Sequence, residues 1–206
     1  MKILNLYAGI GGNRKLWEEN HKVTAIENDY ETAKVYQQYF PNDLVIVTDA
    51  HQYLLENYNN FDFIWSSPPC ITHSDIRRCG VHAGQYEAKY PEMKLYEEII
   101  LLQNFAPKET KWVVENVNPY YSPLIPASRI LHRHLYWSNF NITEFNVKDE
   151  RVHNDIIGSS GLYGYDLNDT NIKDKRKALR NMVNPDLGLH ILKCAEGKVI
   201  TLEAFV

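Results

Sequence analysis

Five short apolar runs in this chain each lead into a residue type that an apolar run does not need. The run at residues 3–7 leads into Ala8-Gly9-Ile10-Gly11-Gly12, and the run at 23–26 into Glu27. Residues 44–47 precede Asp49, residues 61–65 precede Pro68-Pro69-Cys70, and residues 112–114 precede Glu115. Helical periodicity separates the runs: residues 13–20 with Leu16 and Trp17 inward, residues 30–39 closed by Phe40-Pro41-Asn42, and residues 93–105. A sixth strand is predicted at 134–137. Strands separated by helices build a mostly parallel sheet with helices on both faces, an α/β fold. In such sheets ligands gather at the carboxyl ends of the strands, near the switch in strand order. Five special residues at five strand ends therefore read as one site on one edge.

At 206 residues with 44% hydrophobic and 23% charged residues, the chain suits one compact soluble domain. No apolar run approaches the roughly 18 residues of a membrane helix. The start, Met1-Lys2-Ile3-Leu4-Asn5, turns polar too early for a secretory signal. Three cysteines without a CxxC argue against a disulfide framework or a zinc ribbon, so no metal is expected. The expectation is a cytoplasmic protein with reduced thiols. With a net charge of −4, any nucleic-acid footprint must be local. The candidate basic patches are Arg77-Arg78, residues 129–134 and residues 173–180, each of which alone reads as a solvated face. Residues 141–175 are rich in Asn, Asp and Gly and suggest a short hairpin at 140–147 followed by loop. A last helix is predicted at 186–194 and a strand-like tail at 199–205; Cys194 falls at core spacing from Ile191.

The chemistry follows from the strand ends. Gly9, Gly11 and Gly12 let the backbone turn sharply and leave no side chain between it and a ligand. Glu27, one strand later, can accept both hydroxyls of a ribose. No GxxxxGK[ST] motif is present, so a nucleoside cofactor with little phosphate demand fits, S-adenosylmethionine rather than ATP. Asp49 could accept from an adenine amino group, or cap the helix beginning near His51. Pro68 and Pro69 stiffen the loop that carries Cys70, which suits a nucleophile better than a core thiol. Glu115, just past a buried strand, can be held protonated and act as a general acid. A thiolate adding to C6 of cytosine makes C5 nucleophilic. An acid at N3 stabilises the charge pushed into the ring, and a sulfonium supplies the methyl group.

These residues resemble the DNA cytosine-5 methyltransferases. Residues 4–12 resemble that family's first motif, with Tyr7 where Phe is usual. Glu27-Asn28-Asp29 followed by Tyr36 and Phe40-Pro41 resembles the second, and Thr48-Asp49 the third. Residues 61–70, with Ser74 at the polar end, resemble the catalytic motif. Residues 112–117 match the Glu-Asn-Val motif, and Arg180-Asn181-Met182-Val183-Asn184-Pro185 resembles Gly-Asn-x-Val-Pro-Pro. The resemblance implies a Rossmann-like S-adenosylmethionine-dependent methyltransferase fold, with S-adenosylhomocysteine as product and DNA as partner. It implies cofactor contacts from Tyr7, Gly9, Gly11, Gly12, Glu27, Asn28, Asp49, Ala50, Pro68, Asn181 and Val183. Catalytic roles fall to Cys70 and Glu115, and substrate contacts to Ser74, Arg77, Arg78 and Asn116. The arginine motif near the base is blurred across residues 129–134, where Arg133 is the choice for the base carbonyl and a phosphate.

The family pattern also assigns segments. Residues 1–140 form the catalytic, cofactor-binding part, 141–175 a reduced target-recognition or loop region, and 176–206 a segment packing back. Only about 35 residues would serve recognition, too few for an independent core. The loop 71–90, with Gly80 and Gly84, is expected to be mobile and to close over a flipped base. A role in restriction-modification fits a reduced, phage-like member. Rival readings are a transfer-RNA cytosine-C5 methyltransferase, an exocyclic-amine methyltransferase, and a non-catalytic cofactor- or DNA-binding regulator. Cys70 and the Glu115-Asn116-Val117 triplet argue against the second of these.

Overall fold

The structure, a computed structural model, describes residues 1–146 and 162–199. Its strands are β1 (Lys2–Leu6), β2 (Lys22–Glu27), β3 (Leu44–Val47), β4 (Phe63–Ser66), β5 (Lys111–Val117), β6 (Arg129–Leu131) and β7 (His134–Ser138). Its helices are α1 (Tyr30–Tyr39), α2 (Ala50–Asn57), α3 (Asp75–His82), α4 (Lys94–Phe105), α5 (Lys175–Arg180) and α6 (Pro185–Ala195). The sheet order is β3-β2-β1-β4-β5-β7-β6. All pairings from β3 through β5 are parallel, and β7 alone runs against its neighbours. This is the Rossmann-like α/β arrangement expected, with the order reversing between β1 and β4.

Alternation along the strands sorts the core into two faces. Leu4, Leu6, Ile64, Trp112 and Val114 meet α2 and α4 on one face. Ile3, Val23, Phe63, Trp65, Val113 and Tyr136 meet Trp17 and α6 on the other. Beside that second cluster, Ala25 packs with Val35 and Tyr36 of α1. The central strand β5 is buried from Trp112 through Asn116, as a strand covered on both faces must be. Helix α4 has no side-chain N-cap and is held by its stripe Leu95, Ile99 and Leu102. Helix α6 is better signalled: Pro185 occupies its first turn and Asn184 Oδ1 accepts the Leu187 amide at 3.1 Å. Its Leu187, Ile191 and Leu192 each contribute about 1.5–3 kcal/mol by burial.

Several expectations are corrected. Residues 13–20 form a series of tight turns in place of a helix, with Lys15 N–H bonded to the Gly12 carbonyl and Trp17 N–H to that of Arg14. Long-range bonds win over helix propagation here. Asn13 pairs its amide with Asn5 in both directions, at 2.7 and 3.3 Å. Arg14 forks onto Asp43 at 2.8 and 3.1 Å, and Tyr36 donates to the same carboxylate at 2.9 Å. Trp17 is buried and donates to the Gly188 carbonyl at 3.1 Å, while Leu16 is exposed.

Residues 71–90 are not one open loop, because α3 occupies their centre. Strand β6 and helix α5 were not anticipated. Strand β5 extends to Val117, so Glu115 lies within it and not beyond it. The expected hairpin has no strand at 140–146, and its last residue lies outside the described residues. So does the tail after Val199. Within the supposed loop at 141–175, Tyr165, Leu167 and Ile172 are core, packed with Ala8, Ile10 and α1.

Candidate active site

The glycine turn after β1 is clamped from two sides. Glu27, at the end of β2, accepts the Gly9 amide on Oε2 and the Asp29 amide on Oε1, both at 2.9 Å. Burial raises the Glu27 pKa, and these backbone bonds oppose the rise. Gly9 and Gly11 both have positive φ, +56° and +88°. Their surroundings differ. A Cβ on Gly11 would lie 2.3 Å from the Phe40 ring, whereas one on Gly9 would meet nothing within 4 Å. Gly9 therefore faces open space, and Gly11 is required by packing. A Cβ on Gly12 would strike the Met182 side chain and the Val183 carbonyl, so the 181–183 segment does fold back against the turn. Asn181 itself is exposed and ends α5.

Tyr7, expected at the cofactor, points its hydroxyl inward, donating to Glu98 Oε1 at 2.6 Å. Its φ is +55°, a strained value for a residue with a side chain. Glu98 is fully buried. It also accepts the Ser66 hydroxyl at 2.5 Å and lies 3.1 Å from His51 Nδ1. Sequence reasoning missed this knot. Glu98 follows Glu97 on an amphipathic helix and carries no local mark of burial. Asp49 is the N-cap of α2, accepting the Gln52 amide at 2.8 Å, which pulls its pKa down. Its other oxygen lies 3.6 Å from Lys94 and is exposed. Ala50 is buried behind it and Asn28 is exposed.

The loop after β4 crosses to β5. Asn116 is buried and donates to the Pro68 carbonyl at 2.9 Å, while its own oxygen accepts the Val117 amide. It pins the Pro68-Pro69 loop to β5. Ser67 donates to Glu115 Oε2 at 2.8 Å and accepts from the Trp65 indole at 2.8 Å. Glu115 Oε1 lies 3.6 Å from His134 Nε2. Burial pushes the Cys70 thiol up first; the Glu115 charge adds to the rise, and the positive fields of Arg180 and Arg133 oppose it. Cys70, Glu115, Arg133 and Arg180 thus share one neighbourhood. Tyr136, paired with Glu115 in the ladder, is fully buried with its hydroxyl unpartnered among the described residues.

Two residues there were not named as site residues beforehand. Arg180 stands where the resembled motif has Gly, which was the available signal. His134 begins β7, and strand alternation puts it on the same side as Tyr136. Arg133 lies in the tight turn between β6 and β7, exposed, beside His132 at φ +53°. The α3 arginines are already engaged. Arg78 donates to the Tyr120 carbonyl at 3.0 Å and stacks on its ring, and Arg77 lies over Tyr86 and reaches the Glu87 carbonyl. Ser74 caps α3 without a side-chain bond.

A family model described as C-5 cytosine-specific DNA methylase matches residues 1–120. The chain belongs to that family. Membership implies methylation that depends on S-adenosylmethionine, and the open side of the Gly9 turn, next to the Glu27 carboxylate, fits such a ligand. No curated protein matches the methylase chain. Solved structures resemble it in fold. The Escherichia coli protein yhhF is 19% identical, with a TM-score of 0.44, over 66% of this chain and 73% of its own. A hypothetical protein of Thermus thermophilus is 16% identical, with a TM-score of 0.46, over 66% and 73%. An S-adenosylmethionine-dependent methyltransferase of Agrobacterium tumefaciens is 11% identical, with a TM-score of 0.41, over 59% and 40%. Among the described residues of the methylase no helix is long and apolar enough to cross a membrane, and no cluster of side chains could hold a metal ion.

Proposed function

We propose that this methylase modifies C5 of cytosine in DNA through a transient bond between Cys70 Sγ and C6 of the base. One observation carries the reading: the loop that bears Cys70 is tied to the end of β5 that bears Glu115, Ser67 donating to Glu115 Oε2 at 2.8 Å and Asn116 to the Pro68 carbonyl at 2.9 Å. A nucleophile and an acid at one strand edge are what the reaction needs. The target base leaves the duplex stack, because C6 is inaccessible to attack within it. Cys70 Sγ, as thiolate, adds to C6, and the C5–C6 π electrons move toward C5 and the ring carbonyl. Glu115 shares its proton with N3 and so stabilises the charge that addition brings. S-adenosylmethionine, when bound, supplies an electrophilic methyl group for C5. The C5 proton then leaves to solvent-derived base, and Sγ departs as thiolate, restoring the aromatic ring.

Gly9, Glu27 and Asp49 hold the cofactor in this reading, with Val183 against the turn from below. Arg133 and Arg180 favour the thiolate and offer charge to a phosphate. Recognition of sequence falls to the loops around α3 and to residues 141–162, in keeping with a short site and a modification role. The test is methyl transfer from labelled cofactor to duplex DNA with and without Cys70→Ala. Label in 5-methylcytosine, lost in the variant, and an adduct trapped on 5-fluorocytosine DNA are expected. Label on an exocyclic amine, or on transfer RNA in preference to DNA, overturns the reading.

A further inference from the structure

We propose that Ser67, held by the Trp65 indole, is a positioning residue that decides which oxygen of Glu115 carries the proton. The inference deepens the reading above and rests on it for the use made of that proton. Its geometry comes from strand register. Ser66 pairs with Val114 across the β4–β5 ladder, so the next step sets Ser67 beside Glu115. Trp65 and Ser67 are two residues apart on an extended chain and point to the same side. That side is the α6 face, where Trp65 is fully buried and packs on Trp17 with ring centroids 6.1 Å apart. Trp17 is itself tied to the Gly188 carbonyl, so the Trp65 ring is boxed in.

Donor counting does the rest. An indole N–H can only donate. It donates to Ser67 Oγ, at 2.8 Å, and the single hydroxyl proton of Ser67 is directed at Glu115 Oε2, also at 2.8 Å. Oε2 is thereby an acceptor. A proton placed on Oε2 would turn that bond around and strand the Ser67 hydrogen beside a buried ring. A proton that Glu115 takes up therefore sits on Oε1. That oxygen lies 3.6 Å from His134 Nε2, outside hydrogen-bond range and with room for a base atom to compete for the proton. Burial lowers the His134 pKa, so its imidazole is neutral near pH 7 and does not draw the carboxylate into an ion pair. Trp65, Ser67 and Glu115 form one relay, with Oε1 at its outer end.

Two measurements test it. Steady-state kinetics of Ser67→Ala should show kcat lower by about two- to tenfold, the worth of a hydrogen bond between neutral groups, with KM values little changed. Ser67→Thr, which keeps the hydroxyl, should recover most of the loss. The second readout needs no activity. The Trp65 indole N–H resonance, assigned by its disappearance in Trp65→Phe, should move in Glu115→Gln. The same change made on Ser67→Ala should leave it in place. An inactive wild type with a coupled resonance would sink the methylation reading and leave the relay standing. Wild-type kcat in Ser67→Ala, or a resonance indifferent to Glu115, overturns the relay whatever the activity, and the resonance settles the matter should Ser67→Ala fold poorly.

Discussion

Replacing Glu98 by Ala should destabilise the protein far more than replacing it by Gln. The carboxylate is fully buried, and three groups from three elements depend on it: the Ser66 hydroxyl at 2.5 Å, the Tyr7 hydroxyl at 2.6 Å and His51 Nδ1 at 3.1 Å. A buried group left without its partner costs about 1–3 kcal/mol. Ser66 is fully buried and bears the full penalty. Tyr7 is partly accessible, and His51 keeps Glu97 at 3.3 Å, so both bear less. The sum for Glu98→Ala is roughly 3–5 kcal/mol, against a total stability of about 5–15 kcal/mol. For a chain of this length each kcal/mol lowers Tm by about 2–4 °C, so a fall of roughly 6–20 °C is expected. Glu98→Gln keeps one acceptor oxygen, enough for Tyr7 and His51, and turns the other into a donor to which the Ser66 hydroxyl can reorient as acceptor, for about 1–2 kcal/mol.

The network also has a pH signature. The hydrogen bond to Glu98 raises the His51 pKa above its ordinary value, outweighing burial. A raised folded-state pKa means the contribution is complete below about pH 6.5 and is lost as pH rises through the folded value. The stability gap between wild type and Glu98→Gln should therefore narrow as pH rises above 7. Thermal melts give the change in Tm, and urea denaturation followed by tryptophan fluorescence at several pH values gives the two stability losses and their pH dependence. Equal losses in the Ala and Gln variants, or a loss below about 1 kcal/mol in Glu98→Ala, would refute the counting of orphaned partners.

Three further outcomes follow from the site. Arg133→Ala should slow alkylation of Cys70 by iodoacetamide near pH 8, because it removes one of the two positive fields that hold the thiol pKa down; measured in a Cys79→Ser background, an unchanged or faster rate argues against the shared neighbourhood. Gly11→Ala should unfold the protein or lower its Tm sharply, since the new Cβ would lie 2.3 Å from Phe40. Gly9→Ala should cost only the roughly 1–2 kcal/mol of a left-handed residue yet lose binding of S-adenosylhomocysteine in calorimetry; retained binding would show that the open side of the turn is not the ligand side.

The layered α/β plan was legible because apolar runs and their interruptions are local signals. So were the glycine turn, Glu27, Asp49, the proline-stiffened Cys70 loop and Glu115, since each follows or closes an apolar run. Residues 13–20 misled for the opposite reason. Their pattern is helical, but Arg14, Asn13 and Trp17 are committed to Asp43, Asn5 and Gly188. Those partners lie as far as 171 residues away in sequence. Arg77 and Arg78 looked free for phosphate, and their stacking on Tyr86 and Tyr120 became visible only in three dimensions.

Periodicity and residue chemistry along the chain were enough to specify a sheet, and to place a thiol and a carboxyl group near the carboxyl ends of its strands. They act over a few residues, and so can be read one window at a time. Which groups surround those two side chains was set by packing: Ser67 and His134 at Glu115, Arg180 near enough for its field to reach Cys70, and Glu98 bound to Tyr7 ahead of the glycine turn. Hydrogen bonds and fields reach only a few ångströms, and strand register and helix docking alone bring residues distant in sequence within that reach.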